Sequence, residues 1–299
     1  MPDLKFEIER LQTELEECQR ELEHYRTWAP PGHVLSPIPS IEEVKRREKQ
    51  IYAMPREMPG LDLNEEGQLR LFDKLRRFYG EQPFSAHRTE GRRYWFENPA
   101  YSYADAILLY CMMRHLRPRR IIEVGAGYSS GAILDTNELF FDNSIECTFI
   151  DPDPQLLRTL LNKEDGDRIT IIEKPLQEVD SKVFAELRAN DILFIDSSHV
   201  AKIDSDVNHI FFRILPLLNR GVSIHFHDIF YPFEYPLDWT YEGRAWNEAY
   251  LLRAFLQYNQ QFEIQLFNTF IDRFHKKKYF QDMPLVENNP GGSIWLKKA

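Results

Sequence analysis

The sequence has few cysteines and no long apolar run. Its 299 residues include Cys18, Cys111 and Cys147, whose spacing fits neither a disulfide framework nor a metal-binding motif. The longest apolar run, residues 106–113, is far shorter than the roughly 20 residues that a membrane span needs. Charges begin at residue 3, which argues against a signal peptide. We therefore expect a cytoplasmic protein that does not enter a membrane.

An excess of basic residues is also missing. The chain has 37 Lys and Arg residues against 47 Asp and Glu residues, which gives a net charge of −10. Because phosphate backbones bind to basic surfaces, nucleic acid is not an expected partner. The length is sufficient for one large domain and an appendage.

The first 27 residues carry a heptad pattern of apolar side chains. Spacings of four and three residues alternate along a seam formed by Leu4, Ile8, Leu11, Leu15, Cys18, Leu22 and Tyr25. This pattern is typical of a short coiled coil and predicts a homo-oligomer assembled through the helix. The alternative is an amphipathic helix that lies on its own domain.

A segment rich in proline follows this helix. Four prolines between residues 30 and 39 interrupt regular structure. A short helix is predicted over 41–53, with Ser40 as its N-cap. We interpret residues 28–62 as a linker or lid, and residues 63–299 as the main domain.

The main domain alternates short apolar runs with helical patterns. Seven runs fit β-strands: residues 120–124, 145–150, 168–172, 192–195, 221–226, 262–267 and 292–296. Apolar strands separated by helices are typical of an α/β fold with helices on both faces of a parallel sheet. The last two runs are expected to add antiparallel pairing at the edge. The sequence thus predicts a Rossmann-like, seven-stranded α/β domain.

A glycine-containing turn ends the first of these strands, at Glu123–Gly127. Glycine there permits a tight turn and a close approach of the backbone to a ligand. The dinucleotide fingerprint requires a third glycine, but Ser130 occupies that position. The second strand is followed by Asp151, whose plain structural interpretation is an acid at a helix N-terminus.

Polar side chains end the fourth and fifth strands. Asp196 and His199 follow the fourth strand, and His227 and Asp228 end the fifth. Ligands of such sheets bind outside the carboxyl ends of the strands, and carboxylates with imidazole or water suit Mg²⁺ or another divalent ion. The alternative for His199 is a structural role beside a helix N-cap. His225 alternates to the strand interior and is interpreted as structural.

The turn and the acid after it resemble the class I S-adenosylmethionine-dependent methyltransferases, over about residues 95–298. The E/D-x-G-x-G motif of that family matches Glu123–Gly127, and its ribose-binding acid matches Asp151. The resemblance implies S-adenosyl-L-methionine as cofactor. It assigns cofactor binding to Glu123, Gly125, Ala126, Gly127, Ser129 and Asp151, with Gln177 near the adenine and Tyr101 and Ser102 near the methionine end.

The polar cluster resembles the metal-dependent O-methyltransferases, especially the sugar O-methyltransferases of macrolide tailoring of the mycinamicin type. Their D-x-x-H pattern matches Asp196 and His199. The match implies Asp196 as a catalytic metal ligand and His199 as the general base. Those enzymes carry Glu-Asp after the fifth strand, where this sequence has His227 and Asp228. The departure keeps Asp228 as a ligand and leaves His227 either as an imidazole ligand or in a site without metal.

Aromatic residues crowd the segment 229–246. Such rings suit the faces of a sugar or aromatic acceptor, or else close the core. We therefore expect a metal-assisted O-methyltransferase that acts on a hydroxyl of a sugar or glycosylated natural product. The alternatives are a metal-independent methyltransferase of an N, C or O acceptor, an NAD-dependent oxidoreductase, and an assembly protein with a degenerate methyltransferase fold.

Overall fold

The computed structural model describes residues 2–24 and 28–299, which form two compact units. One comprises the described residues up to Ile51 with Thr240–Ala245, and the other comprises Tyr52–Trp239 and Trp246–Ala299. The predicted boundary between residues 62 and 63 does not coincide with this division. Met58 and Leu63, on either side of that boundary, are both buried in the core of the second unit.

The first unit contains the two predicted N-terminal helices. Helix α1 spans Pro2–His24 and helix α2 spans Ile41–Ile51. Along α1 the side chains of Ile8, Leu11 and Leu15 are exposed. Tyr25, the last residue of the heptad seam, lies outside the described residues. The coiled coil therefore stays a prediction, with three of its seam side chains exposed in this single chain.

The second unit is built on a sheet of seven strands. These are β1 (Arg120–Val124), β2 (Glu146–Ile150), β3 (Ile169–Ile172), β4 (Ile192–Ile195), β5 (Ser223–His227), β6 (Phe262–Phe267) and β7 (Ser293–Lys298). Their order is β3-β2-β1-β4-β5-β7-β6, and β7 runs antiparallel to both of its neighbours. All seven predicted strands are confirmed to within two residues, and so is the antiparallel pairing at the edge.

The register of the central strands brings their carboxyl ends to one level. Val124 of β1 pairs with Ile150 of β2 and with Ile195 of β4. Ile195 in turn pairs with Phe226 of β5. Because the strand order reverses between β1 and β4, a crevice forms there, and this is where such folds bind ligands. The residues that follow β1, β2, β4 and β5 therefore meet at one edge of the sheet.

Helices surround this sheet. The α-helices after α2 are α3 (Glu65–Leu75), α4 (Ala104–Leu116), α5 (Tyr128–Phe141), α6 (Gln155–Leu160), α7 (Lys182–Ala185), α8 (Asp206–His209), α9 (Leu237–Tyr241), α10 (Glu248–Leu256) and α11 (Asn268–Asp282). Helix α8 continues directly into a π-helical segment, Ile210–Ile214, and a 3₁₀ turn, Leu215–Leu217, so that residues 206–217 are helical throughout. Helix α11 was not predicted. Within the described ranges, no helix combines the length and the apolar character that a membrane span requires.

Candidate active site

A cavity of about 420 Å³ lies at the carboxyl ends of β1, β2 and β4. Its lining comes from the ends of these strands and the residues that follow them, from the loop after β3, and from residues 202–206. The sequence-predicted residues in the lining are Gly125, Asp151, Gln177 and Asp196. The fold thus brings the glycine turn, the ribose-type acid and the first acid of the polar cluster together around one space.

Gly125 forms the tightest part of the turn after β1. Its φ of +83° is in the left-handed region, and a Cβ there would meet the carbonyl oxygen of Asp196 at 1.9 Å. Its amide donates to the carbonyl of Ile150 at 2.9 Å. Only glycine combines this backbone conformation with this close approach. The turn is therefore held directly against the ends of both neighbouring strands.

Asp151 is oriented by the backbone around it. The amide of Ala126 donates to Asp151 Oδ2 at 2.8 Å, and the amide of Asp153 donates to Oδ1 at 2.7 Å. Each carboxylate oxygen has capacity for a second hydrogen bond. Asp151 therefore faces the cavity as a fixed double acceptor, the arrangement that a pair of vicinal hydroxyls requires.

Glu123 lies behind the turn and is fully buried. Its two carboxylate oxygens accept hydrogen bonds from the hydroxyls of Ser129 and Ser130, on the first turn of α5. Burial raises the pKa of Glu123 to about 8, and the two serine hydrogen bonds oppose this shift. Ser130, in the place of the third glycine, also accepts from the amide of Gly127 at 3.0 Å. Glu123 thus connects β1 to the start of α5.

Of three further residues predicted to contact the cofactor, Gln177 lines the cavity, whereas Tyr101 and Ser102 do not. Gln177 lines the cavity and its amide donates to the carbonyl of Asp204. Tyr101 is buried, and its hydroxyl donates to the carbonyl of Asp105 at 3.1 Å. The hydroxyl of Ser102 accepts from Asn289 Nδ2 at 2.7 Å. The side-chain hydroxyls of Tyr101 and Ser102 are thus bonded to protein groups, and their contact with a cofactor remains a prediction.

Asp196, His227 and Asp228 form a cluster able to hold a metal ion. One ligand atom from each lies within 4.8 Å of the others. His227 Nδ1 is 3.4 Å from Asp196 Oδ1 and 3.8 Å from Asp228 Oδ2. This nitrogen is buried and has no hydrogen-bond partner among the residues that the structure describes. A buried imidazole nitrogen that faces two carboxylates without a hydrogen bond fits a cation between them.

The charges of this cluster depend strongly on one another. Burial alone would raise the pKa of Asp196, but His227 and His199 outweigh burial and hold that pKa well below its usual value. Burial lowers the pKa of His227, and the carboxylates of Asp228, Asp196 and Asp105 outweigh it and raise that pKa. In the ion-free protein the imidazolium of His227 therefore compensates the acids around it.

His199 is fixed between two elements. Its Nδ1 is 2.8 Å from Glu248 Oε2 at the start of α10, and its Nε2 is 3.3 Å from Asp196 Oδ1 and 3.7 Å from Asp228 Oδ2. The carbonyl of His199 accepts from the amides of Asn247 and Glu248. Burial lowers the pKa of His199, but hydrogen bonds to Asp196 and Glu248 raise it to about 10. Nε2 is the ring nitrogen directed at the cluster.

Two acids of the site were not predicted in their observed roles. The carboxylate of Glu248 is buried and orients His199, whereas the sequence suggested no such pairing. Asp105 of α4 lies behind His227, with Oδ2 at 3.7 Å from its Nε2. His225, as predicted, is structural: it stacks on Phe194 at 4.1 Å between ring centroids, and burial lowers its pKa to about 3.

Part of the aromatic segment after Asp228 closes the core, and another part lies beside His199. Tyr231, Phe233 and Tyr235 are buried and close the core. Trp246 packs on the ring of His199 at 4.4 Å, and Trp239 lies 5.2 Å from Trp246. Both tryptophans are half-buried. A partly exposed aromatic wall, formed by Trp239 and Trp246, therefore stands beside the imidazole.

Comparisons with known proteins agree with this assignment of the fold. A family model described as a methyltransferase domain matches residues 122–229. An uncharacterized protein of Archaeoglobus fulgidus is 34% identical over 169 residues, which cover 54% of this chain and 75% of that protein. The matched domain begins in β1 and ends just after β5. It therefore contains Glu123 and Asp228 as well as Asp151 and Asp196, the two of these acids that line the cavity.

Similar solved structures include two methyltransferases. For the SAH-bound methyltransferase PaMTH1 of Podospora anserina, the TM-score is 0.45 and the identity 16%, over 88% of this chain and 99% of that one. For TomG of Streptomyces achromogenes, an O-methyltransferase involved in tomaymycin synthesis, the TM-score is 0.44 and the identity 13%, over 86% of this chain and 96% of that one.

Proposed function

We propose that this chain, which belongs to the class I S-adenosylmethionine-dependent methyltransferases, transfers the methyl group of that cofactor to a hydroxyl oxygen of a small acceptor. The observation that carries the proposal is the shared cavity, in which Asp151 and Asp196 line one space of about 420 Å³. A cofactor bound to the first acid would extend toward the second. Its methyl group would thereby come close to the polar cluster.

The cofactor is proposed to lie across the glycine turn. Asp151, held by two backbone amides, accepts hydrogen bonds from the ribose hydroxyls. Gln177, which lines the same cavity, is proposed to contact the adenine. The backbone of Gly125 and Gly127 faces the methionine portion, because glycine allows that close approach. Glu123 acts from behind by fixing the first turn of α5 through Ser129 and Ser130.

His199 is proposed as the general base. A hydrogen bond from Nδ1 to Glu248 leaves Nε2 as the nitrogen that accepts the proton of the acceptor hydroxyl. The acceptor oxygen then attacks the sulfonium methyl carbon, the carbon–sulfur bond breaks, and S-adenosylhomocysteine leaves. This arrangement resembles other catalytic groups in which a carboxylate orients an imidazole through its second nitrogen.

A divalent cation is proposed to assist this step. Asp196, His227 and Asp228 would hold it, since their ligand atoms lie within 4.8 Å of one another. When bound, such a cation supplies positive charge that lowers the pKa of the acceptor hydroxyl and of the imidazole beside it. The cluster would thereby favour both the deprotonated acceptor and a neutral His199.

The acceptor is proposed to carry a sugar or a similar ring with neighbouring hydroxyls. The aromatic wall of Trp239 and Trp246 is half-buried and directly contacts His199 through Trp246. Apolar ring faces pack well on aromatic side chains, while a few polar groups fix the orientation of the ligand. A pyranose ring packed on this wall would present its hydroxyl edge to the base.

A homo-oligomer is proposed through α1. Ile8, Leu11 and Leu15 of the heptad seam are about half exposed, which is unusual for three aligned apolar side chains. Sedimentation of the wild-type chain is expected to show an oligomer, and Leu11→Glu with Leu15→Glu to yield a monomer. The paired control Glu9→Gln, on an exposed position of the same helix, should leave the oligomer intact. A monomeric wild type would contradict the proposal.

The function is tested by transfer of a labelled methyl group to a panel of glycosides and phenols. EDTA and Asp196→Ala are each expected to abolish most of the transfer, and His199→Ala to lower kcat by about 10²–10⁴-fold, as for loss of a general base. His209→Ala, outside the site, serves as the control. Full turnover after chelation would refute the role of the cation, and full turnover by His199→Ala would refute the base.

A further inference from the structure

We infer that this site selects a first-row transition ion such as Co²⁺, Fe²⁺ or Zn²⁺ over Mg²⁺, and that Asp105 sets this preference by fixing the orientation of His227. The inference rests on the proposed function, because it concerns the ion that the cluster of Asp196, His227 and Asp228 would hold. It goes further by naming the class of ion and a positioning residue outside the cluster.

The separation of the ligand atoms suits a small divalent ion. Protein nitrogen and oxygen ligands lie about 2.0–2.2 Å from such ions, so that neighbouring ligand atoms are about 3.0–3.5 Å apart. His227 Nδ1 is 3.4 Å from Asp196 Oδ1 and 3.8 Å from Asp228 Oδ2. The first distance falls within this range, and the second does so after a movement of a few tenths of an ångström by the Asp228 carboxylate.

His227 presents an unused nitrogen to this space. The residue is 6% exposed, and in the part of the chain that the structure describes its Nδ1 has no hydrogen-bond partner. The ring is held by its position at the end of β5 and by contact with Tyr101, at 5.1 Å between ring centroids. A buried nitrogen without a partner is costly unless a ligand satisfies it.

The other nitrogen of the ring faces Asp105. Nε2 is 3.7 Å from Asp105 Oδ2, close enough for an Nε2–H group to bond with that carboxylate after a small movement. Asp105 cannot turn away easily, because Asn268 Nδ2 and the Ser293 hydroxyl donate to its Oδ1, and the Gly292 amide to its Oδ2. A proton on Nε2 leaves the lone pair on Nδ1, toward the cluster. Carboxylates behind metal-binding histidines have this function in many proteins.

The donor set then decides which ion binds. Mg²⁺ prefers oxygen ligands and an octahedral shell that keeps several waters. Imidazole favours the borderline transition ions, whose affinity for nitrogen rises along the first row. A carboxylate in the place of His227 would give an all-oxygen set suited to Mg²⁺. The imidazole, held in the ligating tautomer by Asp105, therefore shifts the preference of the site.

The alternative is that His227 remains an imidazolium that neutralises Asp105, Asp196 and Asp228 without any metal. In that case the cluster is a salt-bridge network, and no divalent ion binds tightly. The two arrangements differ in a measurable way, because a cobalt ion in the cluster absorbs visible light and an imidazolium does not.

The test is a titration of the full-length, chelator-treated protein with Co²⁺, followed by its visible absorption and by calorimetry, with Mg²⁺ as competitor. We expect stoichiometric Co²⁺ binding that a tenfold excess of Mg²⁺ does not displace. Asp105→Asn is expected to weaken Co²⁺ binding about 10–100-fold, as for other residues that orient ligands. His227→Glu should weaken Co²⁺ binding and strengthen Mg²⁺ binding, whereas His209→Glu, the same change outside the site, should alter neither.

Each other outcome overturns a defined part of the account. Displacement of Co²⁺ by a tenfold excess of Mg²⁺ would refute the selectivity, and unchanged Co²⁺ affinity in Asp105→Asn would refute the role of Asp105. Competition between Co²⁺ and Mg²⁺ for the wild-type protein decides the selectivity even if His227→Glu fails to fold. Absence of ion binding would refute the metal site itself. A parallel titration with S-adenosylhomocysteine separates these failures from a failure of the methyltransferase assignment.

Discussion

Replacement of Glu123 by glutamine is expected to stabilise the cofactor-free protein at neutral and alkaline pH. Glu123 is fully buried, and burial raises its pKa from 4.5 to about 8. Glutamine has nearly the same shape and carries no charge. Its amide oxygen can accept from Ser130, and its amide group can donate to the Ser129 hydroxyl, which also accepts. The substitution therefore removes a buried ionisable group and retains both contacts.

The sign and size of the effect follow from proton linkage. Between pH 4.5 and about 8, the folded protein keeps a proton on Glu123 that the unfolded chain has released. The stability contributed by this group is complete below pH 4.5 and is lost progressively as the pH rises toward 8. The slope is about 1.4 kcal/mol for each pH unit. At pH 8 the Glu123→Gln protein should thus be more stable by on the order of 4 kcal/mol.

The assay is urea unfolding of both proteins without cofactor at pH 5, 6.5 and 8. Other ionisable groups are the same in the two proteins, so that their effects cancel in the difference. Glu287→Gln, at an exposed position, is the matched control and should show a difference near zero at every pH. A difference for Glu123→Gln that does not grow with pH would refute the reasoning.

Three further substitutions, with Gly127→Ala as a comparison for one of them, test the site. Asp151→Asn should weaken S-adenosylhomocysteine binding by about 1.5–3 kcal/mol in calorimetry, the value of hydrogen bonds to a charged group; unchanged affinity would exclude the ribose role. Gly125→Ala should destabilise the protein by several kcal/mol in thermal unfolding, because its Cβ would meet the Asp196 carbonyl at 1.9 Å. Gly127→Ala, whose Cβ meets only the end of Leu156 at 3.3 Å, should destabilise the protein only slightly. Equal losses of stability in the two glycine variants would contradict this reasoning. Glu248→Gln should lower kcat and move the rising limb of the pH–rate profile to lower pH, by on the order of one unit. The reason is that removal of the negative charge of Glu248 lowers the pKa of His199. A rising limb that does not move would exclude the pairing of Glu248 with His199.

The strands were predictable because their signal is local. Runs such as Ile192–Ile195 are apolar throughout, and each lies between helical or turn residues, as expected for buried parallel strands. Helix α11 escaped prediction because its sequence, from Asn268 to Asp282, mixes lysines and aromatic residues without a clear helical period. Its conformation depends on packing, with Phe270, Ile271 and Tyr279 buried in the core.

Within the site, the sequence could predict the location of residues that directly follow strands. Gly125, Asp151 and Asp196 could be placed together because the carboxyl ends of parallel strands share one edge. Asp105 and Glu248 could not be, because they reach His227 and His199 from helices that are distant in sequence. Nothing in the local sequence of α4 or α10 distinguishes these acids from ordinary helix-terminal carboxylates. Their roles arise only from tertiary contacts.

The central claim is that the cavity binds S-adenosylmethionine, and calorimetry with S-adenosylhomocysteine and with NADH tests it most directly. The account predicts one site for S-adenosylhomocysteine, binding that weakens in Asp151→Asn, and no detectable binding of NADH. Binding of NADH without binding of S-adenosylhomocysteine would contradict the account and favour an oxidoreductase on the same sheet.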